Sequence, residues 1–325
     1  MKQSLPLKLV GAIIWIWPYN WISSILICSL TYGPCLIAMI RRWNLNVKGY
    51  ILMNMDAEKA AQIEHLWRTY LTTGEFAKET RQRQFFRLLP GHPRCKNCYA
   101  PFSGAGGQVV KLLYGKRPAN MNPRLCNVCE VFAAEYQGGA DIELTMLFVD
   151  VRGSTTLAEQ MTPMAYSQLI NRFYTVVTRI MIWTDALIDK IIGDQAAGMY
   201  VPGFAGSDHA KKALKAAQDI MKATGHGTTE GPWISLGAGV HTGVAFVGSL
   251  GSEDGTSDIT VLGDAANTTA RLSSHAGVGE ILISKSTCSN LELDTARLEQ
   301  RDLELKGKSE RVSVCVLKQY EPVSH

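Results

Sequence analysis

The sequence has little charge of either sign and no long basic stretch. Charged residues make up 19% of the 325 residues, and the formal net charge is only +4. A protein that binds nucleic acid usually presents a basic stripe or patch. The composition therefore argues against nucleic acid as a partner. A hydrophobic content of 46% suits a globular protein that also carries a membrane segment.

The apolar N-terminus lacks a clear small-residue cleavage site. The run from Leu9 to Ile40 is almost uncharged, and it is too long for the apolar core of a signal peptide. One straight helix over the whole run would overshoot a hydrocarbon core of roughly 30 Å. We therefore expect either a single span over Trp21 to Ile40 or a hairpin broken near Pro18, with a buried helix pair as the alternative. The positive-inside rule favours the end at Arg41 and Arg42 as cytoplasmic.

The segment after this run has the pattern of a helix. Apolar side chains recur at helical spacing and predict a helix from Asp56 to Leu89, with Asp56 as its N-cap. Arginines make the last part of this segment basic. We interpret it as a connecting helix, and a contact with anionic lipid is the alternative.

A glycine-rich stretch at residues 104–107 lacks the neighbours of a phosphate-binding loop. No strand pattern precedes it, and no Lys-Ser or Lys-Thr pair follows it. Both are needed for the loop that holds nucleotide phosphates in P-loop proteins. This class of nucleotide site is therefore excluded.

Four of the eight cysteines form two C-x-x-C pairs, Cys95 with Cys98 and Cys126 with Cys129. Such pairs can close a tetrahedral thiolate site, although the stretch between them is longer than the usual zinc-ribbon spacing. A structural Zn²⁺ is our first expectation, and an iron–sulfur cluster is the second because four cysteines serve both. A redox-switching dithiol pair and unligated thiols are the remaining alternatives. Disulfides are not expected if the chain works on a nucleotide in the cytosol.

Two carboxylates stand where an apolar strand gives way to a turn. Asp150 ends a strand pattern and precedes a turn of small residues, and Asp194 follows a second strand and Gly193. Carboxylates on neighbouring strand ends can share divalent cations, and Mg²⁺ prefers a few carboxylates together with substrate phosphates. The turn after Asp150 can also offer backbone N–H groups to a phosphate. For either residue alone, a role as a turn former is the alternative.

These two stretches are the first of several motifs that resemble the class III nucleotidyl cyclase catalytic domain. The motifs fall in the family's order between about Asp141 and about Gln319, and this shared order makes the resemblance specific. They are Phe148–Thr155, Lys190–Asp194, Gly239–Gly243, Val261–Arg271 and Leu305–Lys308.

The resemblance implies an α+β fold with a ferredoxin-like core and an added hairpin. The pattern of elements agrees, because strands and helices alternate without regular parallel crossovers, which indicates helices on one face of a sheet. We predict a strand over Ile142 to Val151 and a helix from Pro163 to about Trp183. Two hairpins are predicted, one around Gly193 and one formed by Ile234–His241 and Val244–Ser249.

The resemblance also assigns roles to single residues. Two Mg²⁺ or Mn²⁺ ions per site are implied between Asp150, Asp194 and the main chain of Val151. The residues implied to contact substrate are Gly153, Ser154, Thr155 and Lys306 at the phosphates (with Lys308 as a nearby substitute), Asn267 at the ribose, Arg271 at the α-phosphate, and Lys190 and Thr260 at the purine. We expect His241 to be structural.

Lys190 bears most directly on the choice of substrate. A lysine donates a hydrogen bond, and N1 of adenine accepts one where N1–H of guanine donates. Guanylate cyclases of this family usually carry Glu at this position, so Lys190 indicates ATP. Thr260 stands where animal members have Asp and many bacterial ones have Thr, which slightly weakens the preference for adenine.

We therefore expect a bacterial, membrane-anchored adenylate cyclase in the inner (plasma) membrane, with its catalytic domain in the cytoplasm. A guanylate cyclase and a catalytically silent nucleotide-binding regulator are the alternatives. In the family, the metal aspartates and the purine, Asn and Arg contacts come from different subunits, so a homodimer with composite sites is implied. The domains predicted are a membrane anchor (1–50), a helical connector (51–90), a cysteine-rich module (91–138) and the cyclase domain (139–325).

Overall fold

The structure, a computed structural model, describes residues 57–73, 77–251, 257–305, 308 and 310–318. The predicted membrane anchor, the N-cap Asp56 and the predicted phosphate-binding Lys306 lie outside these residues. Within the described ranges, no helix has the length and apolarity needed to cross a membrane. The chain divides into two compact units, Met1–Ala61 and Gln62–His325, and the site lies in the second.

In the described residues, the second unit is built on one mixed sheet of eight strands. The strands follow the order β2-β3-β1-β4-β6-β8-β7, and β5 pairs with β4 off this path. The pairing of β4 with β6 is parallel, and the other pairs are antiparallel. The strands are β1 (Gly138–Val151), β2 (Leu187–Ile192), β3 (Gln195–Tyr200), β4 (Leu236–Leu250), β5 (Asp258–Leu262), β6 (Glu280–Ser284), β7 (Glu299–Leu303) and β8 (Val312–Lys318).

Helices lie before β1 and between several of the later strands. A short 3₁₀ helix covers Thr295–Arg297. The α-helices are α1 (57–72), α2 (Ala77–Leu88), α3 (Gly104–Tyr114), α4 (Asn127–Glu135), α5 (Ser154–Gln160), α6 (Pro163–Trp183), α7 (Pro202–Ala205), α8 (His209–Ala223), α9 (Asp264–His275) and α10 (Lys285–Asn290).

Both faces of β1 are buried from Leu144 to Val151, and this explains the apolar run from Met146 to Val149. Successive side chains of a strand point to opposite faces. Leu147 and Val149 pack with residues of α6 and α8, whereas Met146 and Phe148 pack in a second cluster with residues of α1, α4 and α9. The α+β fold is confirmed. The expectation of helices on one face is wrong, because α6 and α8 cover one face while α9 and α4 contribute to the other.

The sequence prediction was wrong about the region from Ile234 to Ser249. One strand of 15 residues, β4 (Leu236–Leu250), runs through it, instead of a hairpin. The full length of β1 pairs with it, from Gly138 opposite Ser249 to Val151 opposite Leu236. Gly243, expected in a turn, pairs with Leu144 inside this ladder. A partner strand about a hundred residues away in sequence thus decides the local structure, as is common in sheets.

The hairpin of β2 and β3 is confirmed. Gly193 lies at its turn with φ of +61°, a backbone conformation that residues with a Cβ adopt only at a cost. The single helix predicted over Asp56–Leu89 is instead two helices, α1 and α2. Strand β5, which carries Thr260, and helix α3, which contains the glycine-rich stretch, were not predicted.

Candidate active site

The ends of β1 and of the β2–β3 hairpin bring Asp150 and Asp194 together. Asp150 pairs with Gln195 at the end of β1, and the backbone N–H of Val151 donates to the carbonyl of Asp194 at 3.0 Å. The chain then turns at Gly153, whose φ is +68°, and enters α5. The predicted closeness of these two strand ends is therefore present in the fold.

The two carboxylates line one open cleft of about 520 Å³. The cleft also contains the turn that was expected to meet the phosphates, and one of the two residues expected to meet the purine. Its lining is Asp150, Val151, Arg152, Gly153, Ser154, Lys190, Ile192, Asp194, Gln195 and Ser274.

Neighbouring side chains hold both carboxylates in place. The hydroxyls of Ser273 and Ser274 each donate to Oδ2 of Asp150 at 3.2 Å, and Arg152 Nη2 lies 3.1 Å from the same oxygen. Ser154 Oγ donates to Oδ2 of Asp194 at 2.6 Å. Oriented carboxylates beside an open cleft fit a hard divalent cation, whose ligands are oxygen atoms held by such surrounding groups.

Helix α9 carries the two residues that were expected to meet the ribose and the α-phosphate. It begins after Gly263 and ends at His275. Asn267 is exposed and Arg271 is half-buried, and neither lines the cleft described above. Thr260 also lies outside that lining. One chain therefore brings the aspartates, the phosphate turn and Lys190 to one cleft, but not the other three residues.

Asp189 connects the two purine-recognition candidates, and sequence reasoning missed it. Its side chain is buried, and its Oδ1 accepts a hydrogen bond from Thr260 Oγ1 at 2.6 Å and one from the backbone N–H of Val261 at 3.4 Å. Lys190 Nζ lies 3.7 Å from Oδ2 of the same carboxyl. Burial raises the pKa of this carboxyl, and the bond from Thr260 acts in the opposite direction. An aspartate inside the apolar strand β2 was the available signal.

The four paired cysteines form one cluster. Their sulfur atoms all lie within 4.8 Å of one another, and the sulfurs of Cys98 and Cys126 are 3.7 Å apart. Thiolates about 2.3 Å from one tetrahedral ion are about 3.8 Å apart, so the cluster has the size of a single-ion site. The hydrogen bond with Cys129, and to a smaller extent that with Cys95, holds the pKa of the Cys126 thiol far below its usual value.

Two further residues have structural contacts. His241 Nδ1 lies 2.8 Å from the hydroxyl of Ser284, and burial lowers the pKa of this histidine to about 4. Lys308 forms an ion pair with Asp264 at the start of α9. The expected structural environment of His241 is thus present, and Lys308 reaches the helix that carries Asn267.

Comparison with known proteins identifies the part of the chain that contains this site. Residues 139–319 match the family profile "Adenylate and Guanylate cyclase catalytic domain". An adenylate cyclase of Anabaena cylindrica is 31% identical over 185 residues, which are 54% of this chain and 36% of that protein. Guanylate cyclase 32E of Drosophila melanogaster is 29% identical over 189 residues, 55% of this chain and 16% of that protein. The chain thus spans little more than a third of the length of the first of these relatives, and less of the second.

A solved structure gives a similar match. The adenylyl cyclase CyaB from P. aeruginosa shares 28% sequence identity with this chain, at a TM-score of 0.46. The match covers 54% of this chain and 94% of that one.

Proposed function

The chain belongs to the adenylate and guanylate cyclase catalytic-domain family, and from this premise we propose that it converts ATP into 3′,5′-cyclic AMP and pyrophosphate. The observation that carries the proposal is the cleft that holds Asp150, Asp194 and the turn after β1. A member that only binds nucleotide would not need both carboxylates. One relative is named an adenylate cyclase and another a guanylate cyclase, so the purine has to be argued from the site.

The reaction joins the ribose 3′-oxygen to the α-phosphorus and breaks the bond from that phosphorus to the pyrophosphate. The hydroxyl must lose its proton, the reacting atoms must lie in line, and the leaving charge must be neutralised. Asp150 and Asp194, with the carbonyl of Val151, would hold two Mg²⁺ or Mn²⁺ ions. Such ions, when bound, lower the pKa of the hydroxyl and offset charge on the phosphates.

The remaining steps fall to residues of the chain itself. We assign the backbone N–H groups of Gly153, Ser154 and Thr155 to the phosphates, where a glycine turn leading into a helix can present donors to an anion. Asn267 orients the ribose and Arg271 stabilises charge on the α-phosphate. Their i, i+4 spacing places both on one face of α9. Lys306 is assigned to the phosphates on the family resemblance alone.

The contact between Asp189 and Thr260 supports adenine as the base. Because Thr260 donates its proton to Asp189, the hydroxyl oxygen offers lone pairs to a substrate. The exocyclic amino group of adenine donates, whereas O6 of guanine accepts and would meet another acceptor. Lys190 donates to N1 of adenine, where guanine carries a hydrogen. A threonine fixed in this way accepts a hydrogen bond from the amino group of adenine, as an aspartate at this position would.

Replacing Thr260 with valine is expected to lower kcat/KM for ATP about tenfold, the value of one hydrogen bond of about 1.4 kcal/mol. The kcat/KM for GTP should change little, so that the preference for ATP shrinks. Cyclic nucleotide formation by the purified chain from ATP and from GTP, with Mg²⁺ or Mn²⁺, measures both. Thr175→Val, an exposed position on α6, is the matched control. A wild-type chain that prefers GTP would make it a guanylate cyclase, and one that cyclises neither nucleotide would make it a silent regulator.

We also propose a homodimer as the active form. Asn267 and Arg271 lie outside the cleft that their own chain provides, so a second copy can supply them. Thr260 and Lys190 contact the same carboxyl, that of Asp189, so both purine contacts come from one chain, which in the composite site is the copy that supplies Asn267 and Arg271. The strands that carry the purine residues or lie next to them expose apolar side chains, with Ile192 61%, Val244 61% and Leu262 45% exposed.

Residues 1–50 would anchor this dimer in the inner (plasma) membrane, with the cyclase domain in the cytoplasm, where ATP is available.

We propose further that Cys95, Cys98, Cys126 and Cys129 bind one Zn²⁺ ion. Sulfurs within 4.8 Å of one another leave room for one ion but not for several irons with bridging sulfides. The backbone N–H of Cys126 donates to Cys95 Sγ at 3.3 Å, and Lys116 Nζ lies 3.7 Å from Cys98 Sγ. These donors offset the negative charge that four thiolates leave on a divalent ion.

Metal analysis of the purified chain is expected to give one zinc per chain, with no iron and no acid-labile sulfide. Cys129→Ser should lose most of this zinc, because it removes one of four ligands. Cys315→Ser, a buried cysteine elsewhere in the fold, should keep it. Iron with sulfide would indicate a cluster, and a metal-free chain with oxidised thiols would indicate a redox pair.

A further inference from the structure

The turn Cys95–Cys98, which we call the cysteine turn, carries a lysine, Lys96, between its two thiols. The side chain of Lys96 is only 9% exposed. Its ammonium lies 2.7 Å from Oδ1 of Asp258 and donates to the main-chain carbonyl of Asp189 at 3.1 Å. A buried ammonium costs free energy unless it has such partners. Lys96 therefore binds residues of two strands of the cyclase domain, β5 and β2.

Both strands carry purine-recognition residues. Asp258 begins β5, two residues before Thr260, and Asp189 directly precedes Lys190 in β2. Asn122, which also lies between the cysteine pairs in sequence, donates to the carbonyl of Ser257 at 3.1 Å. The cysteine segment thus contacts each strand next to the residue that is proposed to contact adenine.

Asp189 is a bulge in β2, and this explains why its carbonyl is available to a lysine. The pairing of β2 with β3 runs from Ile188 opposite Gly198 to Lys190 opposite Ala197, and it skips Asp189. A bulged residue is left out of the ladder and redirects its neighbours, often beside an active site. The main chain of Asp189 binds Lys96 while its side chain binds Thr260. One residue therefore joins the cysteine turn to the purine subsite.

A second contact holds the start of β2. Arg83 of α2 donates to the carbonyl of Ala186 at 2.6 Å and forms a hydrogen bond with the hydroxyl of Tyr99. Tyr99 directly follows the cysteine turn and has a φ of +63°. The cysteine turn is thus connected to β2 at Ala186 and again at Asp189, on the side that leads to Lys190.

We infer that a metal ion at the four cysteines fixes, through Lys96, the strands that carry Lys190 and Thr260, so that discrimination between adenine and guanine depends on that ion. The inference rests on the proposed function, because it takes Lys190 and Thr260 as the purine contacts. Lys96 is a positioning residue in this arrangement. Binding of a metal to its ligands is itself folding free energy for a small site. Without the ion, the metal–sulfur bonds that fix the cysteine turn are absent, and the turn no longer holds Lys96 at the bulge.

The test compares Lys96→Met with Lys111→Met. Methionine keeps an unbranched, largely apolar side chain and removes the charge, and Lys111 is an exposed residue of α3. Equilibrium binding of 3′-deoxy-ATP and 3′-deoxy-GTP with Mn²⁺ reports the purine subsite without turnover, because these nucleotides lack the attacking hydroxyl. Lys96→Met should retain one zinc and raise the Kd for 3′-deoxy-ATP about tenfold, the value of a hydrogen bond to a charged group. The Kd for 3′-deoxy-GTP should change much less, and Lys111→Met should behave as wild type.

The kinetics and the zinc dependence give two further readouts. With ATP, Lys96→Met should raise KM while kcat at saturation stays within about twofold, since Lys96 touches no reacting atom. Zinc-depleted wild type, resupplied with Mn²⁺ for the active site, should show the same loss of ATP preference. Zinc depletion should add little to Lys96→Met, because the two changes act along one path.

The outcomes separate this inference from the proposed function. Lys96→Met that keeps zinc and binds both nucleotides as wild type does would overturn the link. If the wild type binds 3′-deoxy-ATP with this Lys96 dependence but forms no cyclic nucleotide, the link stands and the cyclase proposal fails. A wild-type chain that binds neither nucleotide overturns both.

Discussion

Replacing Asp194 with alanine is expected to reduce cyclic AMP formation at least about a thousandfold and to leave the fold intact. Asp194 lines the cleft at the turn of the β2–β3 hairpin, where its carboxylate accepts a hydrogen bond from Ser154. It is half-buried at a strand end, so its loss leaves no large cavity in the core. With one carboxylate missing, the divalent ions that would offset charge on the triphosphate lose a ligand. Cyclic AMP formation by the purified variant measures the loss, and circular dichroism and thermal unfolding check the fold.

The matched control is Asp141→Ala. Asp141 lies on β1, the same strand as Asp150, but it is exposed near the opposite end of that strand. It should retain activity within about twofold, as surface substitutions usually do. If Asp194→Ala kept a tenth or more of the wild-type activity, the assignment of this residue to a metal site would be wrong.

The parts of the fold that were predicted correctly are those set by local sequence. Gly193 between two apolar strands predicts the β2–β3 hairpin, because a tight turn needs a residue that tolerates positive φ. Pro163 after Thr162 predicts the start of α6, where the Thr162 hydroxyl accepts from the backbone N–H of Ala165. The stretch around Gly243 has the composition of a turn and forms a strand, because β1 pairs with it along its whole length. No local pattern reveals such a partner.

The same distinction holds for the site. Asp150 and Asp194 were expected to meet because each follows a strand, and the order of motifs supported this. The partners that orient the site lie far away in sequence: Thr260 is 71 residues from Asp189, and Ser273 is 123 residues from Asp150. Lys96 was visible only as a residue between two cysteines. Its contacts with β2 and β5 depend on how the cysteine segment packs on the sheet.

The placement of the remaining residues leads to the second large effect. The cleft formed by one chain contains both aspartates, while Asn267 and Arg271 lie on α9 outside it. If two copies form each site, the aspartates of one copy work with the α9 residues of the other. A symmetric dimer then has two such sites. Damage to one set of residues in one chain, and to the other set in its partner, leaves one of these sites complete.

Mixing Asp150→Ala chains with Asn267→Ala chains is therefore expected to restore activity that neither variant has alone. Random association of equal amounts gives half mixed dimers, each with one intact site of two, so about a quarter of the wild-type activity should return. Co-expression of differently tagged chains and purification through both tags isolates the mixed dimer, for which about half is expected. Cyclic AMP formation per mole of dimer is the measurement.

The control mixes Asp150→Ala with Asp194→Ala chains. Both changes fall in the same half of the site, so each composite site of a mixed dimer lacks one aspartate and no activity should return. Recovery in this control would mean that the aspartates of one site come from different chains. No recovery in the mixture of Asp150→Ala and Asn267→Ala, with mixed dimers present, would mean that each chain builds its own site. Asn267 would then have to reach the cleft of its own chain through a movement of α9.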